Sequence, residues 1–77
     1  MVEPWISMIR KPITVARYPI RLSQFLKLAG VAQDGLEAKI LIQQQAISVN
    51  NQIETRRGRK LLKDDRVAFA DVVYICA

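Results

Sequence analysis

Ile20-Arg21-Leu22-Ser23-Gln24-Phe25-Leu26-Lys27-Leu28-Ala29-Gly30 sets how the rest of the chain is read. Leu22, Phe25, Leu26 and Ala29 fall at i, i+3, i+4 and i+7, the spacing that lines one face of an α-helix. Gly30 can take the left-handed conformation that ends such a helix, and Ser23 is placed to help its start. A second helix opens at Asp34, whose carboxylate can cap free amides while Glu37, three residues on, reaches back in a capping box. Ala38, Leu41 and Ile42 form its apolar stripe. Helices of about eight to eleven residues are marginal alone, so the two must pack on each other and on something flat.

The flat layer lies C-terminal to them. Ile47-Ser48-Val49 and Gln52-Ile53-Glu54 flank Asn50-Asn51, and asparagine tolerates the positive φ that a tight hairpin requires. A strict two-residue turn pairs Ser48 with Ile53 and leaves Ile53 on the face opposite Val49; if both are core, a bulge or longer loop is required. Arg66 to Ala70 and Val72 to Ile75 are rich in strand formers, with Val67, Phe69 and then Val72, Tyr74 as alternating sets. Phe25 and Phe69 both fit buried periods.

Upstream, all three prolines, Pro4, Pro12 and Pro19, fall in residues 1–19 and favour extended or turn backbone there. Ile13-Thr14-Val15 suits one short strand. Trp5, Ile6, Met8 and Ile9 are apolar enough to dock on the domain or on a partner. The chain thus divides into an N-terminal arm, 1–19, and a domain, 20–77. With 77 residues and one cysteine, it makes a small core with no disulfide to support it. The amino terminus has an acid where a signal peptide carries basic residues, and the longest uncharged stretch, Ile40 to Ile53, contains too many amides to span a bilayer. A soluble cytoplasmic protein with a reduced thiol is expected.

Histidine is absent, which removes the commonest general base, serine and cysteine triads, and imidazole zinc sites. Asp64-Asp65 is the only acidic pair; it lacks a third ligand and reads as a turn before the strand at Arg66. Cys76 lies at the chain end without an activating group. No catalytic residue, cofactor or metal is expected. Twelve Lys plus Arg against seven Asp plus Glu give +5, which favours an anionic partner. The sharpest feature is Arg56-Arg57-Gly58-Arg59-Lys60, four cations in five residues, too many for casual salt bridging. Arginine presents planar donor forks to phosphate, and Gly58 permits close backbone approach. Arg21 and Lys27 on the first helix and Lys39 on the second can extend the patch, although Lys39 can instead balance Glu37 or Asp34. As an exposed cationic run, the loop is expected to tolerate alanine at all four positions without unfolding. The few aromatics are scattered, so no stacking platform for single strands is visible.

Taken with Glu37-Ala38-Lys39, Val49-Asn50-Asn51, Arg56-Arg57-Gly58-Arg59-Lys60-Leu61 and Lys63-Asp64-Asp65-Arg66-Val67, the first helix resembles the RNA-binding domain named after ribosomal protein S-four, or αL motif, in its small stand-alone bacterial form. The resemblance covers roughly Ile20 to Phe69. It implies an α+β fold, two short helices packed on a small, mainly antiparallel sheet. It also implies RNA contacts from Arg21, Lys27, Lys39, Asn50, Asn51, Arg56, Arg57, Arg59 and Lys60. Asn51 and Asp64 stand where that family usually has glycine, and Gly35-Leu36 replaces a ser-arg step of larger members. The expected function is non-enzymatic binding of structured RNA, ribosomal or transfer RNA, through a basic face. The alternatives are a ribosome-associated protein adaptor working through the arm, a regulatory partner of an RNA-modifying enzyme, or nonspecific DNA binding, which charge alone permits.

Overall fold

The computed structural model describes residues 9–77. Among the described residues, seven strands and two helices follow in the order β1 (Ile9–Ile13), β2 (Ile20–Arg21), α1 (Leu22–Leu28), α2 (Gly35–Gln43), β3 (Ile47–Val49), β4 (Gln52–Ile53), β5 (Lys60–Leu61), β6 (Arg66–Phe69) and β7 (Val72–Cys76). The main sheet has strand order β1-β7-β6-β3-β4, antiparallel except for a parallel β1–β7 edge, and β2 pairs with β5 in a separate two-stranded ribbon. The α+β expectation holds, with the sheet mixed.

The local signals behave as their chemistry dictates. Gly30 takes φ 79, the amide of Val31 bonds to the carbonyl of Leu26, and that of Gly30 bonds to Lys27, which closes α1 in a Schellman motif. The end of α2 repeats it with Gln45 at φ 62, a left-handed position held without glycine. At the start of α2, Asp34 Oδ1 accepts from the Glu37 amide at 2.8 Å. Glu37 Oε1 returns the contact to the amide of Gln33 at 2.9 Å, one residue before the expected one. The hairpin register is the strict one: Ser48 pairs with Ile53 and Val49 with Gln52, and Asn50 and Asn51 take φ 50 and 72. Ile53 therefore leaves the core and is 59% exposed.

Two expectations are corrected. Ser23 gives α1 no side-chain cap, and Arg21 is the N-cap residue. The free amides of Leu22 and Ser23 instead bond to the carbonyls of Arg59 and Arg57, at 2.7 and 3.1 Å. The basic loop's backbone thus closes the start of the first helix. The N-terminal strand runs over Ile9–Ile13 rather than Ile13–Val15 and includes Pro12. The bonds of Ile9, Ile13 and Val15 to Asp71 and Ala77 place the odd residues toward β7. Pro12 accordingly turns its missing N–H away from β7, to the side that is the sheet's edge among the described residues, where a strand tolerates proline.

One face of the main sheet carries the core. Val49, Val67 and Tyr74 align across β3, β6 and β7, with Ile47, Phe69 and Val72 in the next row. Leu22, Phe25 and Leu26 of α1, Ala38 and Ile42 of α2, and Leu61 of β5 close over them, all fully buried. Phe69 is half-buried against this cluster. Cys76 is buried in β7 rather than frayed, its amide donating to the carbonyl of Asp65 at 2.9 Å.

Candidate nucleic-acid interface

The basic run is organised by a residue that charge counting along the run passes over. Glu54 follows β4 with its side chain only 7% exposed. Glu54 Oε2 accepts from the amides of Thr55 and Arg56 and from Arg56 Nε, while Oε1 accepts from Arg56 Nη2 and, at 2.8 Å, from Arg59 Nη1. Hydrogen bonding from Arg56, with that from Arg59, outweighs the opposing effect of burial and lowers the Glu54 carboxyl to about 2. Arg56 reaches this carboxylate from the surface, its side chain 74% exposed, whereas Arg59 is only 28% exposed. The reading of the loop as four cations without internal partners is corrected: two of the four are paired. An acid two residues before Arg56 and five before Arg59 was the signal.

Because the loop's carbonyls hold the start of α1, Arg57 is brought beside Arg21 at the start of α1 and Lys39 on α2. Arg21, Ser23, Gly35, Leu36, Lys39, Arg57 and Gly58 line one groove. Its neighbour is lined by Lys39, Ile42, Gln43, Thr55, Arg56, Arg57 and Gly58. Arg56, Gly58, Arg59 and Lys60 line a third hollow, and Lys60 stands opposite Arg21 in the β2–β5 ribbon. Among the described residues, Arg21, Lys39, Arg57 and Lys60 form no ion pair. Lys39 does not balance Asp34 or Glu37, whose carboxylates are engaged at the start of α2.

Lys27 is exposed in the last turn of α1 and lines none of these three grooves. Asn50 and Asn51 form the tip of the β3–β4 hairpin. The Asn50 side chain is engaged within the fold, its Nδ2 donating to Asp65 Oδ1 and its Oδ1 accepting from the amide of Arg66. Leu36, 66% exposed on the groove wall, falls off the apolar stripe of α2 and entered the sequence reading only as half of the Gly35-Leu36 replacement, not as a site residue. Trp5, Ile6 and Met8, the residues offered for protein docking, lie outside the described residues; Ile9 is in β1. No group of three or more His, Cys, Asp or Glu side chains is placed to hold a metal among the described residues. None of their helices is long and apolar enough to cross a membrane.

Comparison with known proteins gives consistent matches. Residues 13–76 match the family model described as S4 domain. A Bacillus subtilis protein named "Probable ribosome maturation protein RlbA" is 45% identical over 56 residues, covering 73% of this chain and 79% of its own length. YbcJ of Escherichia coli is 33% identical over 58 residues, covering 74% of this chain and 83% of its own. The solution structure of YbcJ, described as revealing an αL motif involved in RNA binding, superimposes with a TM-score of 0.61 at 29% identity. That alignment covers 84% of this chain and 86% of YbcJ.

Proposed function

The chain belongs to the S4 domain family, and from that premise we propose that it is a non-enzymatic protein that binds structured RNA, ribosomal RNA in particular, through the face that carries Arg21, Lys39 and Arg57. The observation that carries this reading is the convergence of three cations, without ion-pair partners among the described residues, on one groove between α1, α2 and the basic loop. An A-form helix hides its deep major groove and presents backbone and 2′-hydroxyls across a shallow one. A compact cationic face matches that surface better than it matches base edges. Leu36 on the same wall offers apolar contact to a sugar or an unstacked base. The similarity to a protein named for ribosome maturation favours ribosomal over transfer RNA as the target.

Binding to deproteinised ribosomal RNA, compared with duplex DNA at two salt concentrations, tests this. With about four to six phosphates neutralised, log affinity falls with log salt at a slope of roughly −3 to −5. Folded RNA is expected to outcompete the duplex DNA at each concentration. A flat salt response, or equal competition by DNA, overturns the reading.

A further inference from the structure

We propose that Glu54 is a positioning residue for the RNA face: its buried carboxylate fixes the shape of loop 55–60 by holding Arg56 and Arg59, which leaves Arg57 as the loop arginine presented to the groove. The proposal rests on the RNA-binding reading and adds a division of labour within the run. Five hydrogen bonds converge on the one carboxylate, two from loop amides and three from the guanidinium groups. The same loop supplies the carbonyls of Arg57 and Arg59 that close the start of α1. Loop shape and helix start are therefore set together. Arg57 lies between Arg56 and Arg59, the two arginines held by Glu54, has no ion-pair partner among the described residues, and lines both grooves that contain Lys39. Gly58 beside it has nothing within 4 Å of where a Cβ would stand, so the backbone there is open to a ligand. An acid inside a cationic run weakens a purely electrostatic attraction; a loop held in its bound shape gains affinity by avoiding the entropy of ordering it.

The two effects oppose each other, and that makes the proposal testable. Glu54→Gln raises the formal net charge by one from +5, so attraction by charge alone predicts tighter RNA binding. Positioning predicts binding weaker by about tenfold. Glu54→Asp conserves charge and shortens the reach, and it too is expected to weaken binding, whereas charge alone predicts no change. Affinities for deproteinised ribosomal RNA are measured on wild type and both variants, after NMR spectra establish that the helices and sheet are retained. The same spectra follow the arginine Nε–H signals and amides 55–60 without RNA. Shifted and mobile loop signals together with weaker binding in either folded variant support the proposal. Equal or tighter binding in every folded variant, or loop signals unchanged by Glu54→Gln, overturns it. If wild type has a Glu54-held loop but binds no RNA, the RNA reading itself fails, and Glu54 is then only a structural anchor.

Discussion

Asn50 and Asp65 stand fifteen residues apart in sequence and are joined by a 3.2 Å hydrogen bond from the Asn50 amide to Asp65 Oδ1. Asn50 Oδ1 also accepts from the amide of Arg66, and Asp65 Oδ2 from that of Leu62. The tip of the β3–β4 hairpin is thereby tied to the turn that leads into β6, and Asn50 serves the fold as well as the turn. Asn51 takes φ 72 with no comparable anchor among the described residues. Asn50→Ala loses both side-chain bonds and leaves alanine at a left-handed position, for a cost of roughly 1–2 kcal/mol. Asn51→Gly relieves strain at a similar backbone angle and gains roughly 0.5 kcal/mol against the larger entropy of the unfolded glycine. Urea midpoints at constant m-value separate the two; equal shifts in one direction overturn the distinction.

Arg57 and Arg59 are neighbours in composition and opposites in role. Arg59→Ala takes a charge-assisted bond from a buried carboxylate and is expected to cost roughly 1–3 kcal/mol. Arg57→Ala should stay within about 0.5 kcal/mol, because its side chain has no ion-pair partner among the described residues. Replacing all four cations by alanine leaves Glu54 buried beside no guanidinium, so that variant should be destabilised, contrary to the expectation from an exposed run. Thermal denaturation of the three variants reads this directly. A four-alanine protein as stable as wild type sinks the clamp.

What was legible in the sequence was what adjacent residues determine. The i, i+3, i+4, i+7 set in α1, the Asp34–Glu37 box, the left-handed Gly30 and the Asn50-Asn51 turn each act over a few residues, and each appears in the fold. The parallel pairing of β1 with β7 was hidden because it joins residues more than sixty positions apart, and the prolines of the arm suited turn as well as extended backbone. The closing of α1 by carbonyls of the basic loop was hidden for the same reason, since Ser23 looked sufficient. At the site, the run of cations announced itself, but its internal pairing to Glu54 depends on burial. The meeting of Arg21, Lys39 and Arg57 depends on how the helices pack.

Cys76 combines a fully buried side chain with a thiol pushed up to about 11, chiefly by burial and next by the charge of Asp65, against a lowering contact from Tyr18. A thiol of that kind holds almost no thiolate at neutral pH and is closed to reagents. Ellman's reagent at pH 7.5 is expected to leave native protein unmodified over minutes and to react fully once denaturant is added. Rapid native reaction at the rate of free cysteine overturns the buried placement.

The Glu54 carboxyl also makes stability depend on pH in a defined direction. Its pKa is about 2 in the fold against an ordinary 4.5, so the unfolded chain takes up this proton first as acid is added. The stabilisation is fully present above about pH 4.5 and is lost as pH falls toward 2. After allowance for solvent screening through the exposed Arg56, its size is of order 1–2 kcal/mol. Urea denaturation of wild type should therefore show a midpoint that declines between pH 5 and 2. Glu54→Gln cannot titrate, so its midpoint starts lower and declines less over the same interval. Parallel profiles for the two proteins would mean that this carboxylate is not what holds the arginines in the folded chain.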